Sequence, residues 1–223
     1  MKPLMFLIQF ITAIIVIKGF ANWKIIKQAK LELLIYLQLI SFSVEIISVI
    51  TIAYFRNSLI TYNIFILLQP ILMLLLIGSW NSPSFFSKIL RNLSAAFFIF
   101  WVFETFILKT IWLTPSNWSM LIGDLLVVYA FAVYLVNLSN TSTTSILRSP
   151  RFWIAASYLI YCAGASVLLA VQEHVKTNIY INSNFPVNLL FIHLTLHTFA
   201  SLLILKALHC LPIRPISRFS SSY

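Results

Sequence analysis

The chain has 223 residues, of which 61% are hydrophobic and only 9% are charged. A water-soluble domain cannot hide that much apolar surface, because its exposed shell needs polar side chains. The composition therefore excludes a soluble globular protein and predicts an all-α protein in a lipid bilayer. The formal net charge is +10, but the basic residues are scattered at the ends of apolar runs. Because they form no patch with exposed aromatics, we expect no nucleic-acid binding.

Seven apolar stretches approach the length of about 20 residues that a helix needs to cross the hydrocarbon core. In chain order they lie near residues 3–20, 32–55, 58–79, 92–112, 117–138, 152–172 and 187–209. The connecting segments hold polar residues and prolines, and none is long enough to fold as a separate domain. We therefore predict one seven-helix bundle over residues 1–209 and a short basic tail over residues 210–223.

Lysine and arginine are distributed unevenly between the two sides of this predicted bundle. One side collects eleven: Lys18, Lys24, Lys27, Lys30, Lys88, Arg91, Arg148, Arg151, Lys206, Arg214 and Arg218. The other side collects four: Lys2, Arg56, Lys109 and Lys176. The positive-inside rule then places the N-terminus outside and the C-terminal tail in the cytoplasm. We expect a multi-pass membrane protein with this orientation.

Three of the five acidic residues lie inside predicted spans, namely Glu45, Glu104 and Asp124. A charged side chain at the centre of a membrane helix costs about 2.5–3.5 kcal/mol on insertion scales. Such a residue is therefore expected to face the interior of the bundle and to find a partner there. The last span adds two more ionisable residues, His193 and His197, four positions apart on one helical face.

The depth of these residues follows from the helical rise of about 1.5 Å per residue. Glu45 lies about 15 Å from the outer end of its span, Glu104 about 9–12 Å and Asp124 about 10 Å. His193 and His197 lie about 9 and 15 Å from the outer end of theirs. All five fall in the outer half of the membrane. We therefore predict that they share a polar pocket that faces outward.

Helical spacing extends this candidate set by four residues. Side chains three, four or seven positions apart share a face of a helix. The pairs that meet this condition are Tyr62 with Gln69 in the third span and Tyr158 with Tyr161 in the sixth. We expect these four side chains to line the same pocket.

Three interpretations of the pocket are open. Its side chains can hydrogen-bond across helices and fix their packing, which is the property of a purely structural subunit. They can bind a ligand or ion, in a non-enzymatic sensor or receptor that reports to a cytoplasmic or membrane partner. Finally, His193 and His197 can ligate zinc in an intramembrane hydrolase, with a carboxylate and a water completing the site. The second interpretation is our working hypothesis.

The H-x-x-x-H pair His193 and His197 on the last span resembles the pair in the seven-helix alkaline ceramidase and adiponectin-receptor group. This resemblance implies zinc held by both histidines. The chain departs from the group in its second and third spans, which lack the third His and the Asp that the group needs.

Two further stretches, "TYNIFILLQP" (61–70) and "LRSPRFWIAASYLIY" (147–161), are similar to segments of small seven-helix membrane proteins of Bacteroidota. The shared features are a Tyr-Asn-Ile-Phe stretch at the start of a middle helix and a Pro-x-Phe-Trp stretch at the start of the sixth. The resemblance implies a bacterial inner membrane. It transfers no activity and no site residues.

Overall fold

A computed structural model of the chain describes residues 2–80, 85–108, 116–141, 145–178 and 185–211. Over these ranges the chain forms helices joined by turns, and it forms no β-strand. The all-α prediction is confirmed. Most of the predicted basic tail, from residue 212 onward, lies outside the described residues, as do Lys109, Arg214 and Arg218.

Eight α-helices follow one another in the described part of the chain. Their bounds are Lys2–Ala21 (α1), Trp23–Gln28 (α2), Glu32–Phe55 (α3), Leu59–Trp80 (α4), Phe85–Val102 (α5), Asn117–Thr141 (α6), Pro150–Asn178 (α7) and Phe185–His209 (α8). A π-helical segment, Phe103–Leu108, continues α5, and a 3-10 turn, Ile146–Arg148, precedes α7. All except α2 belong to the seven helices that are long and apolar enough to cross a membrane. The prediction of seven spans is confirmed.

Two helical segments exceed what hydropathy alone predicts. The connection between the first two predicted spans, "NWKIIKQAK" (22–30), contains α2, which buries Ile26 and leaves Lys24 and Lys27 exposed. The fourth span begins at Phe85 rather than near residue 92. Its first turns bury Leu90 and expose Lys88, so they are amphipathic. A hydropathy window undervalues such turns, because their charged residues offset the apolar face.

Six of the spanning helices form a closed ring. Helix α1 packs against α3 and α8, and the remaining neighbours are α3 with α4, α4 with α6, α6 with α7, and α7 with α8. Because successive spans alternate in direction, α1, α4, α6 and α8 all begin at the same end of the ring. We call this the N-terminal end of the bundle and the opposite one the C-terminal end.

Helix α5 lies outside this ring, against α4 and α6. The indole Nε1 of Trp101 donates a hydrogen bond of 3.1 Å to the backbone carbonyl of Asn63 in α4, which ties the two helices together. The outer face of this region carries Ile99 and Ile107, whose side chains are 68% and 69% exposed. Large apolar side chains at such exposure fit contact with lipid.

The C-terminal half of the ring is filled by stacked aromatic side chains. Phe131 of α6 stacks on Tyr158 of α7 with ring centroids 5.8 Å apart. Trp80, at the end of α4, lies 6.3 Å from Phe131 and 4.9 Å from Tyr134. Aromatic pairs at these separations contribute about 0.5–1.5 kcal/mol beyond the area they bury. They make this half of the interior a packed core.

Arg151 and Lys30 complete the C-terminal end. The Arg151 guanidinium lies 5.6 Å from the centre of the Trp80 ring, and its Nη2 donates to the Ala29 carbonyl at 3.2 Å. The Lys30 carbonyl accepts a hydrogen bond from Trp80 Nε1 at 3.0 Å, and Lys30 Nζ donates to the Ser79 carbonyl at 3.1 Å. These contacts join α4 and α7 to the connection between α2 and α3.

Candidate functional site

A cavity of about 280 Å³ lies inside the ring, toward the N-terminal end. All six ring helices contribute to its wall. Its polar lining residues are Gln9, Ser41, Glu45, Ser48, Tyr62, Gln69, Asp124, Tyr161, His193 and His197. The apolar remainder comes mainly from α3 and α4. A concave, mostly apolar site with a few convergent polar groups is the usual form of a small-molecule site.

Glu45 stands on the α3 wall of this cavity. The Gln9 side chain of α1 is its hydrogen-bonding neighbour, so the contact links two adjacent helices. The second carboxylate oxygen, Oε2, is buried and has no hydrogen-bond partner among the described residues. A carboxylate accepts about four hydrogen bonds when all its lone pairs are used. Glu45 therefore retains acceptor capacity that the described part of the protein does not use.

Asp124 reaches the cavity from α6, next to a close contact between α6 and α4. A Cβ atom on Gly123 would lie 2.6 Å from Pro70 Cγ, so the glycine is what lets the two helices come this close. Asp124 is only 5% exposed. Its carboxyl group forms a hydrogen bond with the Cys162 thiol of α7. Asp124 is therefore linked to a neighbouring helix, as Glu45 is through Gln9.

His193 and His197 lie on the α8 wall, and the rings of both are close to one tyrosine. The Tyr161 ring of α7 is 5.7 Å from His193 and 5.4 Å from His197, measured between ring centroids. The contact with His197 is edge-to-face, with an interplanar angle of 83°. Nδ1 of His197 is buried without a hydrogen-bond partner among the described residues. The pair thus packs on an aromatic ring and leaves one ring nitrogen available.

Tyr62 closes the wall near the first turn of α4. Its hydroxyl group contacts Met120 Sδ of α6 at 3.8 Å. Tyr62 and Tyr161 both lie close enough to Asp124 for electrostatic interaction. The acid of α6 therefore lies near two phenolic groups from different helices.

Tyr158 lies one layer deeper than the cavity. Gln38 Nε2 donates a hydrogen bond of 2.8 Å to its hydroxyl group, which connects α3 with α7. Both residues line a smaller cavity of about 40 Å³. This space shares Gln69, Tyr161 and His197 with the larger one. Tyr158 therefore belongs to the floor between the cavity and the aromatic core.

Glu104 does not line the cavity, although its predicted depth is similar. It lies in the π-helical segment after α5, and its carboxylate receives the first free N–H groups of α6. Trp118 N donates to Oε1 at 3.2 Å, and Ser119 N donates to Oε2 at 2.6 Å. The Ser119 hydroxyl donates to Oε2 at 2.5 Å. A carboxylate at a helix N-terminus satisfies orphan donors and the helix dipole, so Glu104 caps α6 outside the ring.

The structure thus brings together seven of the nine predicted residues: Glu45, Tyr62, Gln69, Asp124, Tyr161, His193 and His197. Sequence reasoning missed Gln9, the neighbour of Glu45, and Asn63, whose Oδ1 accepts a hydrogen bond of 3.0 Å from Ser116 N. Both are uncharged polar residues inside apolar helices. An amide inside an apolar helix is itself a sequence signal, because in lipid it needs a hydrogen-bond partner on another helix.

The zinc interpretation requires three protein ligands around one ion. His193 and His197 share a face of α8, but in the described ranges no group of three or more His, Cys, Asp or Glu side chains could hold a metal ion. Glu104, one of the three acids inside the predicted spans, is bound to the start of α6 instead. The described side chains therefore do not form the donor set of a catalytic zinc site.

The cavity combines two carboxyl groups, two imidazoles, two phenols and two amides in an apolar wall. Such a lining can bind a small molecule through hydrogen bonds, with Glu45 and His197 offering atoms that the described protein leaves unpaired. Comparison of the chain with protein-family models, with curated proteins and with solved structures gives no match, so its function is inferred from the geometry of this cavity.

Proposed function

We propose that this protein is a non-enzymatic, sensor-like or receptor-like subunit of a bacterial inner membrane. In this proposal its N-terminus faces outward, the cavity takes up a small ligand from the outer side, and the C-terminal end reports to a membrane or cytoplasmic protein. The short connections between helices leave no room for an output domain in the described ranges. In this proposal a partner protein carries the signal onward.

The proposal rests on two polar atoms in the cavity wall that have no hydrogen-bond partner among the described residues. Glu45 Oε2 and His197 Nδ1 are both buried and unpaired within the described part of the chain. An unpaired buried polar atom costs about 1–3 kcal/mol, which a hydrogen-bonding ligand would recover. Polar groups that served only to fix helix packing would be expected to satisfy one another.

The chemistry of the wall favours a ligand that donates hydrogen bonds. Glu45 offers an unpaired carboxylate oxygen, and Asp124 of α6 supplies a second acid in the wall of the same cavity. A protonated amine or a hydroxyl group complements such acceptors. A carboxylate ligand has only acceptors and would not complement them.

Orientation and access can be tested with single cysteines. Replacing the two native cysteines, Cys162 and Cys210, by Ser gives the background protein. In it, Ser48→Cys puts one thiol in the cavity wall, and Ser139→Cys puts one on the exposed surface near the C-terminal end of α6. Intact spheroplasts expressing each variant are treated with a membrane-impermeant maleimide.

We expect the thiol at position 48 to react in intact spheroplasts and the thiol at position 139 to react only after the membrane is permeabilised. The reverse pattern would place the cavity on the cytoplasmic side and overturn the outward-facing proposal. Failure of position 48 to react under either condition would show that the cavity is not reached from water.

Ligand binding can be tested with n-butylamine as a probe of the proposed chemistry and butyrate as the anionic control. A ligand at about 100 times its Kd stabilises a protein by about 2.7 kcal/mol, which thermal unfolding in lipid nanodiscs resolves. We expect butylamine to raise the melting temperature of the wild type and butyrate to leave it unchanged. Glu45→Gln should abolish the effect of butylamine while keeping the melting temperature of the free protein near that of the wild type.

The packing interpretation predicts a different result for the same variant. The Asp124–Cys162 and Gln38–Tyr158 hydrogen bonds show that part of the polar set does connect helices. If Glu45 serves only to connect helices, through Gln9, then Glu45→Gln lowers the melting temperature strongly and no amine alters it in the wild type. That outcome would favour a purely structural subunit.

A further inference from the structure

A groove between α1 and α3 runs along the outer surface of the ring beside the cavity. It encloses about 540 Å³ and is lined by Met5, Phe6, Gln9, Ile46, Val49 and Ile50. Three of these residues, Met5, Gln9 and Val49, also line the cavity. The two spaces are therefore neighbours that share one wall, and Gln9 stands at their junction.

The groove wall is exposed and almost wholly apolar. Phe6 is 69% exposed, Val49 61% and Ile50 49%. Around a membrane-spanning bundle, such a surface meets lipid chains rather than water. The groove is therefore accessible to a molecule dissolved in the bilayer.

Polarity changes along the path from the groove to the cavity. The outer part offers only apolar side chains, whereas the inner end offers the Gln9 amide and the unpaired Oε2 of Glu45. The cavity, at about 280 Å³, is at the lower limit of the volumes that hold a complete drug-sized ligand. A molecule with a polar head and a long tail would place its head in the cavity and its tail in the groove.

We propose that the α1–α3 groove is a lateral portal for a single-chain amphiphile with an amine head group. In the bound state the amine donates hydrogen bonds to Glu45, and the alkyl chain lies along Phe6, Ile46 and Ile50. The inference rests on the ligand-binding role proposed above and adds its substrate class and its route of access from the bilayer.

Two amines that differ in chain length test the portal. Dodecylamine has a chain long enough to occupy the groove, whereas n-butylamine fits within the cavity. Ile46 lines the groove and Ile47 lines neither space, yet both are isoleucines on α3 and both are 45% exposed. Ile46→Trp therefore fills the groove, and Ile47→Trp is the matched control for an added indole on the same helix.

Binding is measured with radiolabelled amine on protein in lipid nanodiscs, after subtraction of the signal from Glu45→Gln nanodiscs. We expect Ile46→Trp to weaken dodecylamine binding at least tenfold and to change butylamine binding less than twofold. Ile47→Trp should leave both affinities within twofold of the wild type. Ile50→Trp, a second block of the groove, should reproduce the loss.

Three outcomes would overturn the portal. In the first, Ile46→Trp and Ile47→Trp bind dodecylamine equally well, and butylamine binding still depends on Glu45. This result would contradict the portal but not the proposed function. Loss of Glu45 dependence for both amines removes the proposed function and the portal together. A change from dimer to monomer in Ile46→Trp alone, seen by mass photometry, would make the groove an interface between two copies of the chain.

Discussion

Glu45 and Glu104 are both carboxylates within apolar helices, and they differ in how many of their oxygen atoms have a donor. Glu104 receives backbone N–H groups on both oxygens and a hydroxyl group on one. Glu45 keeps one buried oxygen without a partner among the described residues. Since an ionised group in an apolar medium needs such donors, only Glu45 has capacity left for a ligand.

Replacing Glu104 by Gln should therefore destabilise the protein far more than replacing Glu45. A Gln side chain has one acceptor oxygen, so its amide group would face the N–H of either Trp118 or Ser119. Charge-assisted hydrogen bonds contribute about 1.5–3 kcal/mol each, and we expect Glu104→Gln to lower the free energy of unfolding by about 2 kcal/mol. Reversible unfolding in mixed micelles measures the difference. A loss for Glu45→Gln as large as that for Glu104→Gln would contradict this division of roles.

At the scale of helices, the contact between α4 and α6 sets the position of Asp124. Pro70 removes one hydrogen bond from the α4 ladder and brings its ring to the surface of α6. Gly123 accommodates that ring, because a Cβ atom there would come within 2.6 Å of Pro70 Cγ and 3.1 Å of Phe97 Cζ. The proline and the glycine together place the acid at the cavity wall.

Gly123→Ala should therefore force α4 and α6 apart. Overpacking of this kind costs about 1–3 kcal/mol, and the displaced Asp124 should also weaken amine binding. Gly78 is a matched control, since a Cβ atom there would meet Ser87 Oγ at an ordinary 3.5 Å. Because alanine favours helix more than glycine, we expect Gly78→Ala to leave stability unchanged or to raise it by up to about 1 kcal/mol. Equal unfolding free energies for the two variants would show that the close approach is relaxed at little cost.

Hydropathy predicts the seven spans because the bilayer imposes both their length and their composition. The helical rise also predicts depth, which is why Glu45, Asp124 and the two histidines are expected at one level. Hydropathy does not predict which face of each helix points into the bundle, since membrane helices can be apolar on every face. Glu104 is an example. It follows α5, which lies outside the ring, so it binds the start of α6 and does not line the cavity, although its depth is similar. The ring itself depends on side-chain packing that hydropathy does not encode.

At the scale of the whole molecule, the cavity and the packed C-terminal end are connected by side chains that contact one another. Tyr158 forms the floor and stacks on Phe131, Phe131 packs against Trp80, and Trp80 lies under the Arg151 guanidinium. A contiguous network of this kind can carry coupling, although coupling has to be measured. The proposed sensor requires such a connection, because its ligand binds at one end and its partner reads the other.

Arg151→Ala tests this requirement. Removing the guanidinium breaks the contact with Trp80 and the hydrogen bond to the Ala29 carbonyl, so we expect a loss of about 1–2 kcal/mol in stability. Arg148 is the matched control, because it is an exposed arginine at the same end of the bundle, and Arg148→Ala should leave stability and binding unchanged. Allosteric coupling is typically 1–3 kcal/mol, or about 5–150-fold in affinity, and it is reciprocal. If the two ends of the bundle are coupled, Arg151→Ala changes the butylamine affinity at least fivefold in nanodiscs. If stability falls but the affinity stays within twofold of the wild type, Arg151 only stabilises the C-terminal end.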